Sequence, residues 1–223
     1  MTKTVLRTYN PDKSLATLEV LFDNGTTRTT TYTYNPDGSL AARVITDGIG
    51  AESSAPWSNV TIKYDANGRR TEYMRTLDDG TTRTTTFSYN PDDSLATKVI
   101  TDGTGPESSA PWSTLTERYD DNGRRTESMR TYDDGTTRTT TFAYNSDGSL
   151  ATKVITDGTG AESSARWSSV TVTYDANGRR TEYIRTKDDG TTRATAFTYN
   201  PDGSLAARVI TDGTGAESSA PWS

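Results

Sequence analysis

The segment Gly-Thr-Thr-Arg begins at Gly25, Gly80, Gly135 and Gly190, each start 55 residues after the last. Val-Ile-Thr-Asp-Gly keeps the same step from Val44, Val99, Val154 and Val209, as does tryptophan at Trp57, Trp112, Trp167 and Trp222. A fixed period constrains the fold more than any composition does. Each copy must adopt the same local structure and find in its neighbours whatever it cannot bury alone. The copies run 3–57, 58–112, 113–167 and 168–222, so residues 1–223 read as a single repeat array. The array begins at the phase at which it ends, Thr2 standing at the tryptophan position. Copy one is the most diverged, and its Leu18, Val20 and Leu21 read as an altered end piece. No such change marks copy four, whose final strand is expected to resemble an interior one.

Copy two shows the local plan. In Asn-Val-Thr-Ile-Lys-Tyr, Val60, Ile62 and Tyr64 alternate with Thr61 and Lys63, the period of a half-buried strand. Asn67-Gly68 and Asp79-Gly80 are hairpin turns, because glycine supplies the positive φ that tight turns need. Asn-Pro-Asp-Asp at Asn90 turns the chain a third time, and Asp102 opens a longer loop that ends on an aromatic. Four strands per copy predict an all-β antiparallel meander of about sixteen strands, coiled into a repeat sheet. Four copies of four strands also fit a four-bladed β-propeller. Helices are not expected, since Gly or Pro interrupts every window of helical length.

Composition bears on what such an array can do. Leu, Ile, Val and Phe make up only about an eighth of the chain, a thin core. Threonine supplies 44 residues, which favours sheet over disorder. The chain has no cysteine and no histidine, which removes disulfides, thiol nucleophiles and the commonest base and metal ligand. A net charge of -6 argues against a nucleic-acid partner. No apolar stretch approaches the ~20 residues of a membrane-spanning helix, and the N-terminus shows no apolar signal core.

The turns share a phrase. Tyr-Asp-Ala-Asn-Gly-Arg-Arg stands at Tyr64 and Tyr174, and Tyr-Asp-Asp-Asn-Gly-Arg-Arg at Tyr119. The partner form Tyr-Asn-Pro-Asp-Gly-Ser-Leu stands at Tyr34 and Tyr199, with variants at Tyr9, Tyr89 and Tyr144. Spacing alternates between 25 and 30 residues. This resembles the YD repeat of the RHS family, whose Tyr-Asp-x-x-Gly-Arg-Leu motif is followed by a Gly-Thr-Thr-x-x-Tyr-x-Tyr strand. Gly25 to Leu40 is a close match, and all eight half-copies fit. The resemblance implies long sheets that coil into shells, or cell-surface proteins. The motif's leucine is kept at Leu40, Leu95, Leu150 and Leu205, whereas the other half-copy carries Arg70, Arg125 and Arg180. The family's self-cleaving core and C-terminal effector have no counterpart in this chain.

Candidate sites are weighed against plainer roles. Asp78, Asp79, Asp102 and Glu107 each have an equivalent in the other copies (Asn24 standing for Asp79 in copy one), whereas a catalytic pair needs one asymmetric pocket with separated pKa values, so no catalytic residue is assigned. The Asp-Gly-Thr-Gly-x-Glu loop from Asp102 to Glu107 is acidic but matches no calcium-loop spacing, and no metal or cofactor is expected. Trp57, Trp112, Trp167 and Trp222, with Tyr64 and Tyr89, are the candidate binding or seam residues, either sealing neighbouring copies or forming sugar platforms. Arg83 is expected to pair with Asp78 or Asp79. These expectations describe a non-enzymatic structural array at the cell surface or outside it, associating with itself head to tail. The alternative is a multivalent carbohydrate-binding module.

Overall fold

The computed structural model describes residues 3–47, 56–102, 111–157 and 167–213. Copy one contributes β1 (Lys3–Tyr9), β2 (Leu15–Phe22), β3 (Thr27–Tyr34) and β4 (Leu40–Asp47). Copy two contributes β5 (Trp57–Tyr64), β6 (Arg70–Leu77), β7 (Thr82–Tyr89) and β8 (Leu95–Asp102). Copy three contributes β9 (Trp112–Tyr119), β10 (Arg125–Tyr132), β11 (Thr137–Tyr144) and β12 (Leu150–Asp157). Copy four contributes β13 (Ser169–Tyr174), β14 (Arg180–Thr186), β15 (Thr192–Tyr199) and β16 (Leu205–Asp212). The strands form one open antiparallel meander in chain order, and no helix occurs among the described residues. The chain divides into two units, Met1–Thr114 and Leu115–Ser223.

The propeller alternative fails at the copy boundaries. A propeller needs four separate blades, yet β4 pairs with β5 within the first unit and β12 pairs with β13 within the second. Ladder hydrogen bonds therefore run from one copy into the next as they run within a copy. β5 ends at Tyr64, where the alternation from Val60 predicts, with one shift of meaning. Trp57 and Trp112 are the first residues of β5 and β9, so they open a strand where the sequence suggested the end of a loop.

Every short turn uses one device. Gly68, at φ +77°, donates its N–H to the Asp65 carbonyl at 2.9 Å, while the Asp65 N–H donates to the Arg69 carbonyl at 2.9 Å. Leu77–Thr81 and Asn90–Ser94 close in the same way. The positive φ falls on the glycine alone, so these are three-residue loops with a bulge, and Asn67 keeps an ordinary conformation. At two positions a side chain occupies the glycine site, Lys13 at φ 69° and Asp93 at φ 71°.

Register sorts the faces. In copy two, Val60 lies opposite Arg75 and Ile62 opposite Tyr73, continuing to Arg83 and Thr85, then Asp102 and Ile100. The other face is threonine-rich, with rows such as Thr46, Asn59, Thr76, Thr82 and Val44, Thr61, Met74, Thr84, Thr101. Among the described residues, the buried apolar ones are Val60, Ile62, Val170 and Val172, the same two positions in copies two and four. Each contributes about 2 kcal/mol on burial, so the ladder and the turns carry much of the fold.

Candidate functional site

The five candidate aromatics among the described residues separate onto two edges of the sheet. Trp57 and Tyr64 open and close β5, about 23 Å apart at ~3.3 Å per residue. Tyr89 closes β7 on the same edge as Tyr64. No single platform joins them. Trp222 lies outside the described residues, as do residues 103–110 of the Asp-Gly-Thr-Gly-x-Glu loop.

On the tryptophan edge, an arginine 29 residues earlier in the chain covers the ring. The Arg28 guanidinium stands 4.9 Å from the Trp57 centroid, Arg83 stands 5.4 Å from Trp112, and Arg138 stands 5.4 Å from Trp167. Each arginine also meets the aspartate that closes the neighbouring strand. Arg28 lies 3.4 Å from Asp47, Arg83 lies 3.2 Å from Asp102, and Arg138 lies 3.6 Å from Asp157. The rings of Trp57 and Trp112 in the first unit, and of Trp167 in the second, thus each face an arginine that also meets an aspartate. The partner of Arg83 is not Asp78 or Asp79, because Asp79 is held at home by Thr81. The Thr81 hydroxyl donates to Asp79 Oδ1 at 2.7 Å and the Thr81 N–H at 2.8 Å, and together they hold that carboxyl below its usual range.

The tyrosine edge carries a second repeated cluster. Asp65 Oδ1 accepts the N–H groups of Asn67 and Arg69, and Asp65 Oδ2 accepts Arg69 Nε at 2.7 Å. Desolvation pushes the Asp65 carboxyl up, but these hydrogen bonds and the Arg69 charge outweigh it and lower its pKa. Arg69 then lies 4.7 Å over the Tyr89 ring and reaches Asp93, while the Tyr89 hydroxyl donates to the Arg70 carbonyl at 2.7 Å. Copies three and four repeat this with Arg124 over Tyr144 and Arg179 over Tyr199, both at 4.7 Å. The Tyr-Asp and Gly-Arg of the motif therefore belong to turn architecture. In the other turn, Asn90 Nδ2 donates to Ser94 Oγ, which donates to Asp92 Oδ1 at 2.7 Å.

One concentration of charge was missed in the sequence. Arg75 lies directly opposite Arg83, Arg130 opposite Arg138, and Arg185 opposite Arg193. Counting outward from the closing pair Leu77 and Thr81 of the turn brings Arg75 and Arg83 face to face, so the signal was present once the loop length was known. In copy four, the face of this pair forms a concavity of about 350 Å³ lined by Arg180, Arg185, Arg193 and Arg208 together with Tyr183 and Phe197.

These features define an all-β repeat sheet with two clustered edges and an arginine-bearing face. No protein-family model matches the chain, and no curated protein does. Among solved structures it is similar to a porin-like protein from Bacteroides uniformis, at 18% identity and a TM-score of 0.33, over 94% of this chain and 90% of that one. A TM-score of that size is too low to carry fold or function from one to the other.

Proposed function

We propose that the chain is a non-enzymatic structural repeat protein of a cell-surface or extracellular assembly, in which the last strand of one molecule pairs with the first strand of the next. The observation that carries this is a comparison of two identical strands. β4 and β16 share the sequence Leu-Ala-Ala-Arg-Val-Ile-Thr-Asp. β4 is half-buried beside β5, whereas β16 is exposed along its length, with Leu205 at 53%, Val209 at 58% and Ile210 at 47%. A bare apolar edge of this kind recruits another strand unless something blocks it. β1 stands at the repeat position of β5 and is exposed at all but one residue.

The register of β4 on β5 supplies the docking register. Ile45 opposite Val60 and Val44 opposite Thr61 become Ile210 opposite Val5 and Val209 opposite Leu6. Arg43 opposite Ile62 becomes Arg208 opposite Arg7, a like-charge pair that weakens the junction. A head-to-tail contact of this type is heterologous and propagates into filaments or closes into rings. The YD-type turns are consistent with a segment of an RHS-like shell, which would grow through the same edges. The carbohydrate reading draws less support, because the ring faces of Trp57, Trp112 and Trp167 are covered by arginines.

Sedimentation velocity over a wide concentration range tests the junction. The expected result is a mass that rises with concentration, falls back to monomer for Val209→Pro, and rises more steeply for Arg7→Ile. A monomer mass at every concentration for both the parent chain and Arg7→Ile would overturn the proposal.

A further inference from the structure

Four turns carry an Asn-Gly pair, at Asn24-Gly25, Asn67-Gly68, Asn122-Gly123 and Asn177-Gly178. All four close alike, the glycine at positive φ and its N–H donating to the carbonyl three residues back at 2.8–2.9 Å. The asparagine side chains differ in what they do. Asn24 Oδ1 accepts the Thr26 hydroxyl at 2.7 Å and the Thr26 N–H at 3.1 Å, a role that aspartate fills at Asp79, Asp134 and Asp189. In the other three turns an earlier aspartate is the acceptor. Asp65, Asp120 and Asp175 each take the N–H of the asparagine and of the arginine beyond the glycine. The carboxamides of Asn67, Asn122 and Asn177 are left exposed, with no hydrogen-bond partner among the described residues. Nor do these asparagines serve the backbone, since the glycine alone takes the positive φ.

A free carboxamide beside glycine is a reactive pair. Asparagine is among the thermolabile residues, and glycine has no Cβ to hinder approach to its own nitrogen. A Cβ built at Gly68, Gly123 or Gly178 would meet nothing within 4 Å, so no neighbouring group crowds the peptide bond. Gly25 is equally open. What sets Asn24 apart is the pair of hydrogen bonds from Thr26.

We infer that Asn67, Asn122 and Asn177 are sites of spontaneous deamidation, from which Asn24 is protected by Thr26. The glycine nitrogen bonds to the asparagine Cγ, the Cγ–Nδ2 bond breaks, and ammonia leaves with the proton of the glycine N–H. Water then opens the five-membered imide at either carbonyl, giving an aspartyl or an isoaspartyl link. The net change is carboxamide plus water to carboxylic acid plus ammonia. In the closed turn the Gly68 N–H is bonded to the Asp65 carbonyl. The reaction therefore runs through brief local opening of the hairpin, which exposed turns undergo most readily. The isoaspartyl product inserts an extra backbone carbon into a three-residue loop, so the closure between Asp65 and Arg69 is not restored. Each event also adds a negative charge beside the aspartate of the turn. None of the three turns lies on β1 or β16, so the inference stands apart from the head-to-tail reading.

The test ages the full chain at mildly alkaline pH, both native and unfolded in guanidinium chloride, and follows each asparagine by mass-spectrometric peptide mapping with an isoaspartyl assay. In the native chain Asn67, Asn122 and Asn177 should convert about tenfold faster than Asn24, because the two bonds from Thr26 must also break there. In the unfolded chain the four should convert at similar rates, since the dipeptide is the same and only the fold distinguishes them. The combined variant Asn67→Asp, Asn122→Asp and Asn177→Asp carries the new charges without the extra backbone carbon. It should melt closer to the fresh parent than the aged, isoaspartyl-containing chain does. An aged chain that melts no lower than this variant would overturn the loosening of the turn. The sites themselves are overturned if the three convert no faster than Asn24 in the native chain, or stay intact there while the unfolded chain is consumed.

Discussion

Copies two and three place different chemistry at one position of the same backbone plan. In copy two, Ile62 is buried opposite Tyr73, and Arg70 lies over Tyr73 and Phe87 at 5.9 and 5.2 Å. In copy three the equivalent residues are Glu117 and Ser128. Glu117 is just as buried, and its carboxylate accepts Arg125 Nη1 at 2.6 Å while Arg125 keeps its place over Phe142 at 4.9 Å. The Tyr119 hydroxyl lies 3.3 Å from Glu117 Oε2, and burial, then the adjacent carboxylate, raise the Tyr119 pKa. Copy four returns to the apolar form, with Val172 opposite Tyr183. The arginine is the constant element. A guanidinium offers a flat face to rings and a hydrogen-bonding edge to carboxylates, so one residue serves an apolar neighbour or an ionic one. The sheet tolerates the exchange because ladder and turns are unchanged around it.

The largest effect should come from emptying the apolar version. Ile62→Ala removes a buried side chain from a thin core and should cost about 2–3 kcal/mol, read as a lowered urea midpoint. Its counterpart in copy three is Arg125→Ala, which strands the buried Glu117. A fully buried pair would lose more, but the Arg125 side chain is 43% exposed, so a cost of about 1–2 kcal/mol is expected. Equal and negligible losses from both variants would mean that the pair position contributes nothing in either form.

Glu117→Ile combined with Ser128→Tyr would convert copy three to the chemistry of copy two. Well-packed apolar groups often match or exceed a buried ion pair, so the double variant should gain about 1 kcal/mol. Neither single change should achieve this. Ser128→Tyr alone leaves the carboxylate buried, and Glu117→Ile alone leaves no aromatic partner. A double variant less stable than the parent would show that Glu117 and Arg125 contribute more than the apolar pair does.

The strands and turns were legible in the sequence because their signals are local. Val60 and Ile62 alternate with Thr61 and Lys63, and most turns announce themselves by a glycine, such as Gly68 four residues after Tyr64 and Gly80 three after Leu77. Register was harder to see. The bulge between Lys63 and Tyr64 shifts the pairing beyond it, and a similar bulge at Tyr89 brings Arg83 to Asp102, 19 residues away, past the nearer Asp79. Trp57 and Tyr64, close in sequence, stand at opposite ends of one extended strand, a separation that only the strand limits reveal. Ile62 and Glu117 occupy the same step of an alternating pattern, and no single-strand pattern reveals that an arginine of the next strand receives the carboxylate.

The smallest effect concerns the turn in which copies two and three also differ. Asp93 occupies the left-handed position at φ 71°, where copy three has Gly148 at φ 89°. Left-handed backbone is uncommon for residues with a Cβ, although aspartate tolerates it better than most. Glycine relieves the strain but adds freedom to the unfolded chain, so the gain is a net of two opposing terms. Lys13, at φ 69°, gives the simpler case, since lysine lacks the local hydrogen bonding that helps aspartate there. Lys13→Gly should therefore stabilise by roughly 0.5–1 kcal/mol. Asp93→Gly should gain less, because it also removes the contact between Asp93 and Arg69. That contact is on the surface and weak, yet its loss offsets the small relief. In thermal melts, Lys13→Gly should rise by a few degrees while Asp93→Gly stays near the parent. Equal gains would show that the Arg69 contact adds nothing to the turn. A loss for Lys13→Gly would show that unfolded-state freedom outweighs strain, and that copy two keeps its aspartate without cost.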